Sequence, residues 1–242
     1  MGIVVYNGVS SEEMGIVVEH PPAYNFPQRD YEVTHVPGRN GDVVFDTGSY
    51  QNVIREYEIA VGDPEKDFTI LANRISEWLH SAKGYARLED TYEREYYRKA
   101  MFMDEGQIEN LLSHMGRITV AFNCKPQRFL KSGDVTLYFD KAGILVNPTR
   151  FPAKPLLKVY GTGAGVLGIT TSTGKYYPIQ FSEIDEYTVV DCDLMDAYKE
   201  TTNKNNTITT PQGFPLLDKE LNEISWEGDI TKVEVQARWW TL

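Results

Sequence analysis

Apolar and polar residues alternate along much of this chain with the two-residue period of a half-buried strand. Within 53–61, Val53, Tyr57, Ile59 and Val61 share one face, which Arg55 interrupts. Runs rich in β-branched and aromatic residues also span 31–36 and 117–123, with Gly, Asn or Pro between them. One segment departs from this period. Asp63-Pro64-Glu65-Lys66-Asp67 is a helix start signal: Asp63 can cap, Pro64 fits the first turn, and the acids oppose the helix dipole. Phe68, Leu71, Ile75, Trp78 and Leu79 then recur at three- and four-residue spacing, and Lys83-Gly84 closes the run. The spacing predicts a helix near 64–82 whose apolar stripe packs on a sheet. Strands are expected again at 85–88 and 95–104. The second mixes apolar and charged residues on both faces, which suits a strand near a subunit contact or a tolerant edge.

The pattern changes after Phe139. Pro148, Pro152 and Pro155 oppose a continuing helix or central strand, placing a domain boundary at 146/147. Beyond it, short strands are expected at 156–160, 166–170, 187–192, 223–226 and 230–240, in the manner of a small β-sandwich. The polar run 201–207 reads as a surface loop. The expected fold class is therefore mainly β with one helix: an α+β first domain, 1–146, and a β-sandwich second domain, 147–242.

Composition narrows the chemistry. The chain has 242 residues and a net charge of −11, with 16 basic against 22 acidic residues in 1–150 and 8 against 13 in 151–242. Neither part has the basic surplus that phosphate binding by counterion release requires. Acidic walls repel DNA, which suits a conduit better than a grip. Aromatics make up 12% of the residues, 15 of them Tyr, which favours strands and contact surfaces. Cys124 and Cys192 lie far apart in strand-like runs and are expected to be free and buried. His20, His35, His80 and His114 are scattered, no CxxC or HExxH occurs, and no metal or cofactor is expected. The opening MGIVVYNGVSSEE reads as a short apolar strand, lacking the basic residues and apolar length of a signal peptide. No stretch approaches the roughly 20 apolar residues of a membrane-spanning helix, so synthesis and folding in a cytoplasm are expected.

Several short motifs hint at chemistry. Asp46-Thr47-Gly48 is the local string of an aspartic protease, but that mechanism needs two such turns so that their carboxylates share a proton. The second half offers only Ser172-Thr173-Gly174, so a protease would have to be a homodimer using Asp46 twice. With Gly38, Gly41 and Gly48 punctuating the segment, a structural turn accounts for the string. Gly163-Ala164-Gly165-Val166-Leu167-Gly168 matches GxGxxG, with Glu183 about 20 residues on. A β-branched run follows it where a nucleotide-binding helix should stand, and a glycine turn between strands is the expectation. The acid pairs Glu12-Glu13, Asp185-Glu186 and Asp191/Asp193 read as solvated faces. Tyr176-Tyr177 and Trp239-Trp240 could stack on sugars, although alternation sends at least one of each pair into the core.

Six segments in order carry a resemblance. GRNGDVVFDTGSYQNV, ISEWLHSAKGYARLEDTYE and GRITVAFNCKPQRFL resemble the first domain of the distal tail protein family of long-tailed bacteriophages. PLLKVYGTGAGVLGI, YTVVDCDLMDAYKE and GFPLLDKELNEISWEGDITKVEVQARWW resemble its second domain, so the likeness covers nearly the whole chain. It implies a structural virion protein at the tail tip, made in the host cytoplasm, and no enzyme. Subunits would close into a homo-hexameric ring below the tail tube, with a galectin-like second domain projecting outward. The ring would join the tail tube protein to the tail-tip protein, in some cases with receptor-binding proteins at its rim. DNA would pass through without specific binding. A ring needs heterologous contacts, and Arg39, Asp42, Tyr50 and Arg55, in or beside the 38–61 arm, are the candidate interface residues because Arg and Tyr are enriched in contacts. The alternatives are a carbohydrate-binding adhesion module and the Asp46 protease.

Overall fold

The computed structural model describes residues 2–62, 68–103, 109–112 and 115–242. The start signal at 63–67, the expected strand end at Asp104, and His114 lie outside the described residues. The chain forms two compact units that divide between Arg128 and Phe129, with Leu242 belonging to the first.

The first unit contains β1 (Val4–Tyr6), β2 (Val9–Ser10), β3 (Ile16–Val18), β4 (Arg29–Thr34), β5 (Val43–Tyr50), β6 (Val53–Gly62), α1 (Phe68–Leu79), β7 (Ala86–Asp90), β8 (Tyr96–Phe102), β9 (Glu109–Leu112) and all but the last two residues of β10 (Met115–Leu130). Its main sheet runs β2-β1-β7-β8-β10-β6-β3, with β9 also on β10. Gly2 and Val18 exchange two backbone hydrogen bonds of 3.1 Å, which bring β3 back to the chain just ahead of β1 and curl the sheet around its core.

Helix α1 lies on that core. From Leu71 onward its expected stripe is buried: Leu71, Ile75, Trp78 and Leu79 are at most 6% exposed, while the Phe68 side chain lies outside the described residues. The Trp78 indole N–H donates to the Tyr6 carbonyl at 3.2 Å, satisfying the polar tip of a buried ring. Tyr6 meets Phe122 at 4.9 Å between ring centroids. The helix stops at Leu79, before the expected Lys83-Gly84 end, where Ser81 N donates to Trp78 O in a tightened last turn. Strand β8 lies between β7 and β10, so it is not an edge. Its mixed pattern has another cause: Arg98 is buried there along with Tyr97.

The second unit comprises β11 (Thr136–Phe139), β12 (Gly143–Asn147), β13 (Leu156–Thr171), β14 (Tyr176–Asp191), β15 (Asp196–Lys199), β16 (Thr202–Asn203), β17 (Ile208–Thr209) and β18 (Glu220–Gln236). Its order is β11-β18-β13-β14-β15-β16, with β12 also on β18 and β17 on β14. The expected boundary at 146/147 moves towards the N-terminus because β11 and β12 both pair with β18. The three prolines mark a connection inside this unit, and pairing to a strand so distant in sequence leaves no mark on local composition.

Strands expected as separate pieces are continuous here. Segments 156–160 and 166–170 are one strand, β13, and 223–226 joins most of 230–240 in β18. The glycines between them form a bulge where a turn was expected: the register of β13 shifts between Gly163 and Gly165, and Gly165 faces Gly228. Gly163 has φ +123° and Gly228 +79°, and a Cβ on Gly228 would lie 2.6 Å from the Ala164 oxygen. Both strands therefore bend at one place. Their two halves line a single core, with Leu157, Val159, Val233 and Val235 from one end and Leu167, Ile169 and Ile224 from the other.

Candidate assembly surface

Strands β4 and β5 leave the main sheet and form their own two-stranded arm, paired from Arg29↔Tyr50 to Thr34↔Val43. Gly38 and Gly41, at φ +81° and +79°, turn its tip. Alternation puts Tyr31, Val33 and Val44 on one face and Val43 and Phe45 on the other. Tyr31, Val33, Val44 and Phe45 are 53%, 56%, 56% and 57% exposed. A lone hairpin is marginal in water, and exposed apolar side chains on both of its faces make the arm a candidate contact surface.

Asp46-Thr47-Gly48 lies inside β5, at a bulge where a turn was expected. The register shifts opposite Arg29 and Tyr31, and Gly48 takes φ +78°, a conformation that suits glycine. The Asp46 carboxylate pairs with Arg29 and accepts from Gly48 N at 2.9 Å. The hydrogen bond from Arg29, then that from the Gly48 amide, hold it below the usual carboxyl range. A proton-sharing dyad requires the opposite, one carboxyl raised by a neighbouring like charge. Ser172-Thr173-Gly174 is a hairpin turn, closed by Gly174 N donating to Thr171 O at 2.8 Å.

Three of the four candidate interface residues belong to the arm. Arg39 sits at the tip, its amide donating to Val36 O at 3.2 Å. Asp42 lies 3.0 Å from His35 Nδ1. Tyr50 stands at the foot, its hydroxyl accepting from Arg29 Nη1 at 3.2 Å and its ring 5.4 Å from that guanidinium. Arg55 is the correction. It is 3% exposed and its guanidinium is engaged inside its own unit, so it offers no side chain to a partner.

The Arg55 site is a buried charge network that alternation alone could not identify. Arg55 Nη2 lies 2.9 Å from Asp90 and 3.1 Å from Glu93. The Tyr57 hydroxyl donates to Asp90 at 2.7 Å. Glu93 also receives Arg98 at 3.2 Å and Arg128 at 2.8 Å. Burial alone would raise the Asp90 carboxyl, but hydrogen bonds from Tyr57 and Arg55 together outweigh it and hold it low. Burial, reinforced by the Asp90 charge, pushes the Tyr57 phenol up. Arg55 thus interrupts an apolar face because it neutralises two acids that reach the same interior.

The remaining motifs are accounted for by packing. The GxGxxG string is the β13 bulge, where the Asp229 carboxylate accepts from Ala164 N at 3.2 Å. Burial pushes the Cys124 thiol up to about 11 and the Cys192 thiol higher still, leaving neither poised as a nucleophile. Asp191 takes a bidentate pair from Arg238 at 2.8 and 2.9 Å. Tyr177 and Trp239 are core residues, 4% and 5% exposed, whereas Tyr176 is 47% exposed. Trp239 therefore cannot serve as a sugar platform. Among the described residues no group of three His, Cys, Asp or Glu could hold a metal ion, and no helix is long and apolar enough to cross a membrane.

No family model and no curated protein matches this sequence. Among solved structures, the chain is similar to the crystal structure of the SPP1 Dit (gp 19.1) protein, described as a paradigm of the hub adsorption apparatus in phages that infect Gram-positive bacteria. The TM-score is 0.74 at 12% sequence identity, over 100% of both chains. The chain has the fold of that protein along its whole length.

Proposed function

We propose that this chain is a structural protein of a bacteriophage tail, a distal tail adaptor at the hub of the adsorption apparatus. Six copies close into a ring through the first unit, and the second unit serves as a peripheral module. The ring joins the tail tube protein on one side to the tail-tip protein on the other, carries receptor-binding proteins where the phage has them, and leaves a channel for DNA. The protein is made in the host cytoplasm, acts in the virion, and catalyses no reaction.

The observation that carries this reading is the likeness of fold to a hub protein over the full length of both chains. The arm supplies a means of assembly. A head-to-tail ring joins two different patches, and a projecting hairpin with half-exposed Tyr31, Val33, Val44 and Phe45 is one such patch. Arg39 and Asp42 at its tip, with Tyr50 at its foot, are the polar contacts we assign to it. Negative-stain imaging of the purified protein tests the reading. Rings with six-fold symmetry are expected, and monodisperse monomers across a broad concentration range would overturn it.

A further inference from the structure

The arm has two roots, and both are tied to the body of the first unit. The incoming root follows Glu19, whose amide donates to Glu58 O at 3.0 Å and whose carboxylate accepts from Arg117 at 2.9 Å. It then passes Pro21, Pro22 and Pro27 without regular structure. Asn25 Nδ2 donates to Ile54 O at 2.8 Å, and Gln51 N donates to Gln28 O at 2.8 Å, tying the two roots together. The outgoing root is held by Asn52, whose amide lies 2.8 Å from Asn123 Oδ1 and 2.5 Å from the Tyr85 hydroxyl.

Tyr24 is the incoming root's link to the buried charge network. The Arg128 guanidinium stands 4.9 Å from the Tyr24 ring and 4.9 Å from that of Tyr96. Arg128 cannot swing freely, because Nη1 is fixed on Glu93 at 2.8 Å and Glu93 is shared with Arg55 and Arg98. Arg55 is itself on β6, the strand the arm's outgoing root enters. One network therefore holds the start of β6 and grips the segment leading into β4.

We propose that Arg128, anchored by Glu93 and gripping Tyr24, is the positioning residue that fixes the root of the arm and hence its direction. This deepens the assembly reading and rests on it. A ring closes only if each arm leaves its subunit at the same angle, and a rigid root meets that need where a flexible tether would not.

Amide hydrogen exchange on the full chain tests the clamp with two variants at Tyr24, which is 45% exposed and outside the hydrophobic core. In Tyr24→Ala, exchange at Gln51 and along β4 should rise about two- to fivefold, the factor corresponding to one exposed cation–π contact. Tyr24→Phe keeps the ring and should restore wild-type exchange. Both should melt with the wild type, and Tyr24→Ala should form fewer rings at a given concentration. Unchanged exchange in Tyr24→Ala, or equally fast exchange in Tyr24→Phe, overturns the clamp. Faster exchange with undiminished rings overturns its positioning role. If the wild type forms no rings, the assembly reading fails, and the exchange comparison still decides whether the clamp exists.

Discussion

At the scale of single residues, Asp90 is the most consequential side chain in the first unit. It accepts from Tyr57 and Arg55 in a site where Arg55 is 3% exposed. Asp90→Ala leaves that buried guanidinium with Glu93 as its one remaining acid beside the Tyr57 hydroxyl, and should cost about 3–5 kcal/mol, measurable by denaturant unfolding. The pH dependence follows from the direction of the shift. The folded Asp90 carboxyl is held below its ordinary value of 3.8, so its stabilisation is present above that value and is lost as pH falls through the folded one. The gap in melting temperature between wild type and Asp90→Asn should be widest near neutrality and narrow below about pH 4. Asp46 behaves differently. It pairs with Arg29 on an exposed hairpin, and such pairs contribute little to stability. Asp46→Asn should leave the melting temperature unchanged, and neither form should cleave a generic protein substrate. Cleavage abolished by that substitution would restore the protease alternative.

At the scale of elements, the arm and the glycine bulge make opposite predictions. The arm contributes none of the buried residues of the first core. Replacing residues 29–50 with a short Gly-Ser loop should therefore retain the unfolding transition and abolish rings, as read by circular dichroism and imaging. The bulge is integral to its unit. Gly228→Ala places a methyl against the Ala164 carbonyl at a backbone angle that L residues rarely adopt, so it should lower the melting temperature of the second unit clearly. A wild-type melting curve for Gly228→Ala would mean that β13 and β18 do not bend there. These elements also show where sequence patterning was sufficient. The α1 stripe was legible because helical spacing is local, whereas the helix end was not, since it depends on how the last turn tightens. Strand β13 looked like two strands around a turn because Gly163 and Gly165 punctuate a sequence in the same way whether the chain reverses or bulges.

Across the whole molecule, the sequence by itself determined the composition of two β-rich units, the one strong helical pattern, and the alternating stripes that become their cores. Those features depend on periodicity and burial, which act over a few residues. The order of six short segments was also enough to suggest a family whose fold the chain shares with a hub protein over its full length. Only the tertiary structure decided where the first unit ends, because β11 and β12 join a strand whose paired residues lie 73 to 100 positions further along the chain. It also decided that Asp46 faces a guanidinium on an exposed arm, while Arg55, five residues beyond Tyr50, is sealed inside. On the sequence the two look alike, each a charged residue in a strand pattern. What separates them is the position of their partners: Arg29 lies on the strand paired with Asp46, whereas Arg55 needs Asp90 and Glu93 from a distant segment to be worth burying.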